Sequence, residues 1–353
     1  MGQNAPTLKD IAERLGLSIG TVQRALHNKG GYSPQTQQRV LEEAKRCGYT
    51  VNVMASALRR PPINLAAVFP EPVGENRYFF RYVWEGIEKA CEELSVCNIR
   101  VDRYYADTNG PDGLEVLRRL LRESELQGLV TNASNDPRFL ALLEAFSQKK
   151  VPVFLVNAVP EARQRLYYCS ANQCVGRLGA DIFCALRRGA PGKVLLLGGV
   201  RSNVRQVARV NDFCAAMAQQ CPEEQILECH LYDDPARLRA LVAASLSDGS
   251  LSGIYAVSAR ETLAMCAAVR EAGASGRVVT IGTDVFPELL EYFEDRTLTA
   301  SVYQYPVQQA YTAVRTLVSH IVPMEPRTQP LIFPIAAVFR SNAASFCSGA
   351  ILI

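Results

Sequence analysis

Apolar and polar positions alternate along this chain in two rhythms, the first of them helical. Leu8, Ile11, Ala12 and Leu15 recur on one face of a helix. Thr7 stands where a hydroxyl caps that helix, with Asp10 in the reciprocal capping position. Gly16 stops it, because glycine turns there without strain. Ser18 caps a second helix whose Val22, Ala25 and Leu26 face inward. Small Ala12, then Gly16, then Val22 is the spacing of a helix-turn-helix: Ala lets the helices cross closely, Gly makes the turn, Val fills the angle. Two core helices joined by a glycine turn share part of that pattern. Ser33-Pro34 then reads as the cap and first residue of a third helix reaching about Cys47, with Val40, Leu41 and Ala44 inward and Gly48 ending it.

Pro61-Pro62 closes this region, and from Ile63 the rhythm changes. Short apolar runs at Leu65–Phe69, Ile99–Tyr104, Gly128–Thr131, Val151–Val156, Val194–Leu197, Gly253–Val257, Val278–Ile281 and Ala300–Val302 read as strands. Helical stretches lie between them, at Tyr82–Leu94, Gly113–Ser124, Asp136–Lys149, Val175–Arg188, Val204–Gln219, Ala236–Asp248 and Arg260–Ala272, with a last one at Pro306–Ile321. Continuously apolar strands alternating with helices mean parallel sheets covered on both faces. The expected fold class is α/β: an all-α headpiece followed by two doubly wound subdomains. Ligands in such sheets bind beyond the carboxyl ends of the strands, so a cleft between the two is the expected site.

Composition sharpens this picture. The chain has 353 residues, 48% hydrophobic and 21% charged, which gives room for two or three globular domains. No apolar run reaches ~18 residues and no signal-peptide pattern opens the chain, so no membrane partner and a cytoplasmic location are expected. The net charge of +3 hides an asymmetry. Residues 1–60 carry nine Lys/Arg against four acids, and the remainder 29 against 31. A basic module on a near-neutral body suits phosphate binding. The eleven cysteines form no CxxC, which points to reduced thiols in apolar stretches rather than to a disulfide framework or a zinc site. Three histidines (His27, His230, His320), no triad spacing and no GxxxxGK[ST] loop argue against catalysis, and no metal or cofactor is expected. Gly198-Gly199 after a strand reads as a tight turn.

Residues 7 to 60 resemble the DNA-binding headpiece and hinge of the LacI/GalR family of bacterial transcription regulators. The resemblance is carried by TLKDIA, GLSIGTVQRAL, SPQT, GY and the hinge pattern Asn52, Ala55, Leu58, in order and at family spacing. It implies DNA contacts from Thr7, Ser18, Ile19, Gly20, Thr21, Gln23, Arg24 and His27 in the headpiece, and from Asn52, Ala55 and Leu58 in the hinge. Gly20 falls where many members place a base-reading side chain. Ile19 can touch only apolar groups such as a thymine methyl, whereas Gln23 can read adenine or a phosphate. Val51 replaces the usual Pro before Asn52.

Residues from about 64 to 342 resemble the periplasmic-binding-protein-like core of the same family, and within it the ribose-binding branch. By that resemblance Phe79 and Phe80 hold a sugar ring. Asn132, Asn157, Arg209, Ser258, Asp284 and Gln304 surround it, and Tyr232 is a further candidate for the wall. The chemistry agrees: aromatics cover the C–H face of a sugar, Asp accepts hydroxyl protons, Arg donates in a planar fork, and Asn or Gln does both. A polar residue after a strand is also a common turn former or helix cap, which applies to Asn132 and Ser258. Asn157-Ala158 stands where the branch has an Asp-Arg pair, so ribose itself is not implied. The expected division is a headpiece at 1–51, a hinge and linker at 52–62, a core at 63–342 and a tail at 343–353. Within the core, 63–168 and 305–330 form one subdomain, and 169–304 and 331–342 the other. The implied molecule is a homodimeric repressor on near-palindromic operator DNA, controlled by a small carbohydrate-type effector. A solute-binding receptor without regulatory role is the alternative.

Overall fold

The computed structural model describes residues 6–26, 30–47, 61–123, 125–134, 136–157, 167–170, 174–187, 189–201, 203–231, 234–321 and 331–347. Three helices come first: α1 (Leu8–Leu15), α2 (Ile19–Leu26) and α3 (Pro34–Cys47). Thr7 and Asp10 form the reciprocal capping box, and Gly16 ends α1 at φ 65°, the left-handed conformation that favours glycine. The core between the helices is Ile11, Ala12, Val22, Ala25, Val40 and Ala44. Leu41, expected inward, is 48% exposed. Val40 and Ala44 already fill the one-turn stripe facing α1 and α2, and Leu41 falls beside it.

The rest of the described chain builds two six-stranded sheets. The first runs β1 (Ile63–Phe69), α4 (Arg77–Glu93), β2 (Ile99–Tyr105), α5 (Pro111–Arg122), β3 (Gly128–Asn132), α6 (Pro137–Gln148), β4 (Val153–Val156) and β5 (Tyr167–Ser170). The second runs α7 (Val175–Leu186), β6 (Lys193–Leu197), α8 (Val204–Gln220), β7 (Gln225–Cys229), α9 (Pro235–Ser247), β8 (Leu251–Ala256), α10 (Ala259–Glu271), β9 (Val279–Thr283), α11 (Leu290–Glu294) and β10 (Ala300–Tyr303). Helix α12 (Pro306–Ile321) returns to pack Ala310, Ala313, Val314 and Leu317 on the first sheet. Then β11 (Leu331–Ile332) pairs with β5, and β12 (Ala336–Val338) with β10. The strand orders are β11-β5-β4-β3-β1-β2 and β12-β10-β9-β8-β6-β7.

Every pairing is parallel except that of β12, which runs antiparallel along its edge. Residues 331–332 lie in the first sheet rather than with the second subdomain where 331–342 was expected, and 169–170 likewise stay in the first. The described chain thus passes between the sheets three times. Of the tail, α13 (Ala343–Phe346) is described: it buries Ala343 and sets Phe346 against Tyr303 and Tyr305.

Cys184 and Cys221 are joined as a disulfide where reduced thiols were expected, because α7 and the end of α8 pack side by side. Cys174 is exposed, while Cys97 and Cys266 are buried. Among the described residues no helix is long and apolar enough to cross a membrane, and no cluster of His, Cys, Asp or Glu has the grouping of a metal site.

Candidate functional site

The outer face of α2 is the first candidate. Val22 and Ala25 anchor the helix in the headpiece core, which turns Ser18, Ile19, Gly20, Gln23 and Arg24 to solvent. Ile19, a large apolar side chain, is 48% exposed there. Ser18 Oγ accepts the Thr21 N–H at 3.1 Å, capping α2, and Thr21 Oγ1 accepts from Arg24 Nη2 at 3.4 Å. Thr7 is occupied in the α1 cap. Arg46, in the same helix, and Arg14, from α1, both reach the carboxylate of Glu43, whose acidity they raise, and the Arg14 bridge ties α3 to α1. His27, Asn52, Ala55 and Leu58 lie outside the described residues.

The second candidate is a cavity of about 190 Å³ between the two sheets. Phe79 and Phe80 line it together with Asn157, Arg209, Ser258, Asp284 and Gln304. The two aromatics sit in the first turn of α4, which begins at Arg77, five residues before the expected start. They stand edge to face with ring centroids 5.3 Å apart.

Strand ends deliver the polar groups. Asp284 follows β9 and Gln304 follows β10, while Arg209 comes from the middle of α8. Arg209 Nη2 donates to Gln304 Oε1 at 2.5 Å, and Gln304 Nε2 donates to Asp284 Oδ1 and Oδ2 at 2.9 and 3.0 Å. Arg209 Nη1 also donates to the Val257 carbonyl at 2.6 Å. Burial pushes Asp284 up to about 6, against the pull of Arg209 and the Gln304 bonds. Burial likewise lowers Arg209, and Asp284 opposes it. Gly176 makes room for this arrangement: a Cβ there would land on the Arg209 carbonyl oxygen.

Three non-glycine residues beside the cavity have left-handed backbone: Asn157 at φ 55°, Asp284 at φ 67° and Tyr305 at φ 57°. Gln309, fully buried in α12, joins two of these turns. Its Oε1 accepts the Asn157 N–H at 2.9 Å, and its Nε2 donates to the Gln304 carbonyl at 2.6 Å.

The remaining expected contacts separate. Ser258 caps α10, donating to Glu261 Oε2 at 2.8 Å and accepting the Glu261 N–H at 3.3 Å, so its side chain is committed to the helix. Asn132 ends β3 and is 2% exposed, but it does not line the cavity, and neither its Oδ1 nor its Nδ2 has a partner. Tyr232 lies outside the described residues. Sequence reasoning missed Asn203, Arg205 and Gln206, which join the wall from the start of α8. The signal available for Arg205 was its spacing: four residues before Arg209, it shares that helix face.

A helix-turn-helix domain followed by a two-sheet core with a cleft site defines a class: a DNA-binding module joined to a small-molecule binding module. The family described as "Periplasmic binding protein domain" matches residues 67–322, and "Bacterial regulatory proteins, lacI family" matches residues 7–52. The chain belongs to the periplasmic-binding-protein domain family and carries a lacI-family headpiece. It is 24% identical over 161 residues to the HTH-type transcriptional regulator DegA of Bacillus subtilis, covering 43% of each chain. It is 25% identical over 285 residues to the maltose regulon regulatory protein MalI of Escherichia coli, covering 76% of this chain and 78% of that one. The match to DegA thus spans under half of that relative's length. An ABC transporter solute-binding protein from Burkholderia graminis, solved with D-arabinose, superposes with a TM-score of 0.70 at 21% identity, over 81% of this chain and 98% of that one. At that identity the likeness is one of fold.

Proposed function

We propose that this chain is a sequence-specific DNA-binding transcription regulator, a repressor, whose operator affinity is set by a small carbohydrate-type effector bound between the two sheets. The observation that carries the reading is the joining, in one chain, of an exposed α2 face on a lacI-type headpiece to a buried Arg209–Gln304–Asp284 relay beside two aromatics. An aromatic pair suits the C–H face of a sugar ring, and a hydrogen-bonded carboxylate suits its hydroxyls. The D-arabinose complex of a protein of like fold supports that class.

The chain is a cytoplasmic, non-enzymatic homodimer. A two-fold dimer presents two headpieces to the two halves of a near-palindromic operator. Residues 52–60 link the modules, with Leu58 as a wedge in the minor groove. Differential affinity of the effector for two arrangements of the lobes is what a switch requires.

Selection of bound genomic fragments, followed by gel shifts with and without monosaccharides that raise the melting temperature, tests this. The expected result is a discrete near-palindromic site whose occupancy changes with one sugar class. DNA binding of equal strength to all fragments, unaffected by any stabilising sugar, would refute it.

A further inference from the structure

The start of α8 presents an unusual set of groups to the cavity. Asn203 caps the helix, and its side-chain oxygen accepts the N–H groups of Arg205 at 3.1 Å and Gln206 at 3.4 Å. The side-chain oxygen of Gln206 accepts the Val200 N–H at 2.6 Å, clamping the turn at Gly199, which has φ 69°. Both amide orientations follow from these bonds, since a backbone N–H requires an oxygen opposite it. The oxygen of Asn203 is thereby filled and that of Gln206 half filled, so what both amides turn elsewhere is chiefly the NH2 group. Arg205 and Arg209, one turn apart on the same helix and 6% and 4% exposed, have donors and no acceptor. All four residues line the cavity. The α8 wall is thus dominated by donors, and the positive end of the helix dipole lies behind it.

A neutral sugar matches such a wall incompletely. Every hydroxyl is a donor as well as an acceptor, and against this wall its own proton has nowhere to go. The carboxylates of the cavity stand elsewhere: Asp284 after β9, Glu75 and Asp107 on the side of the first sheet. Of these, Glu75 is bridged to Arg260, and Asp107 accepts from its own loop at Asn109. A carboxylate is an acceptor only, with about four lone-pair sites, and a guanidinium meets it with two parallel bonds. Two charges on a phosphate would crowd the carboxylates of Asp284 and Glu75, whereas one charge against the α8 wall does not.

We infer that the effector is a sugar acid whose carboxylate lies against Asn203, Arg205 and Gln206, with its ring on Phe79 and Phe80 and its hydroxyls toward Asp284. The inference rests on the effector reading above and narrows it. Arg205 has a further part in it. Its Nη1 donates to the Asn157 carbonyl at 3.3 Å, from the second sheet's side of the cleft to the first, so the residue that reads the carboxylate also spans the two lobes.

The test is titration calorimetry on the full chain with D-glucuronate, D-galacturonate and D-gluconate, beside the neutral aldoses and their 6-phosphates. At least one acid should bind ten-fold or more tightly than its neutral aldose. Arg205→Gln should bring that ratio to within about three-fold, by analogy with loss of one charged hydrogen bond. Gln206→Glu should do the same while keeping the oxygen that holds Val200, so a folding defect at Arg205 does not decide the matter. A neutral aldose bound as tightly as its acid, a 6-phosphate bound more tightly than the acid, or an acid preference unmoved by both variants would overturn the inference. Any of these, with binding lost in Asp284→Asn, leaves the effector reading standing. Absence of binding by every member of the panel overturns both.

Discussion

At the scale of single residues, charge and backbone conformation concentrate where the cleft narrows. Asp284 combines a left-handed backbone with a fully buried carboxylate held by Gln304. Such conformations persist only where the surroundings over-determine them. Replacing Arg209 with Ala or Asp284 with Asn should weaken effector binding by on the order of 1–3 kcal/mol, because ligand groups would be left unpaired; calorimetry that finds the affinity unchanged would remove the relay from the site. Glu261 offers a test by pH. Burial pushes it up to about 7 although Ser258 and the Gly199 N–H both bond to it. Between its ordinary value near 4.5 and about 7, the folded chain keeps a proton that the unfolded chain has released. Stability should therefore fall as pH rises through that window, by up to roughly 3 kcal/mol. Urea unfolding of wild type and Glu261→Gln across pH 4.5 to 7.5 should show the difference shrinking toward the acid end. On the headpiece, Arg24→Ala should cost roughly 1–3 kcal/mol in operator binding if the contact is to a base. A uniform loss on all sequences with a shallower salt slope assigns it to phosphate, and an unchanged gel shift removes it from the interface.

Elements, rather than residues, place these groups. Helices α7 and α8 touch backbone to backbone at Gly176, so Gly176→Ala should push them apart and move Arg209 with them. Overpacking of this kind costs about 1–3 kcal/mol; a melting temperature and effector affinity equal to wild type would show that the pair relaxes freely. The sequence made the central strands legible, since β1, β3, β4, β6, β8, β9 and β10 are apolar runs buried on both faces. It did not reveal β5, β7, β11 and β12. Edge strand β7 mixes exposed and half-buried residues with none buried, and β11 and β12 span two and three residues, too short for any period to register. Seven of the nine expected effector contacts line the cavity: Asn157, Ser258, Asp284 and Gln304 follow strands, as order suggests, whereas Phe79, Phe80 and Arg209 were expected through the family resemblance. Asn203 and Gln206 could not be read that way, and Arg205 only through its four-residue spacing from Arg209. Their meaning depends on which atoms the cap and the Val200 turn consume, and that is fixed only once the helix start is in place.

At the scale of the whole molecule, contacts among the described residues that draw the lobes together include Glu75 with Arg260, Arg77 with Glu288, Tyr78 stacked on Phe286 at 4.5 Å, Arg205 with the Asn157 carbonyl and Gln309 with the Gln304 carbonyl. Glu75, Arg77 and Glu288 are each more than 40% exposed at the side chain, so their bridges contribute about 0–1 kcal/mol apiece and weaken further in salt. The aromatic stack adds about 0.5–1.5 kcal/mol beyond the area it buries. Tyr78→Ala should therefore raise the radius of gyration measured by X-ray scattering, whereas 0.5 M salt should leave it near the wild-type value; the opposite ranking would make the ion pairs the latch. The triple passage of the chain between the sheets reaches further, into synthesis. The first sheet takes its outermost strand from Leu331–Ile332 and its covering helix from Pro306–Ile321, while the second takes β12 from Ala336–Val338. Neither sheet is therefore complete, in order of synthesis, until residues 331–338 have been made. The headpiece core is complete in chain order at Cys47, before the first strand of either sheet.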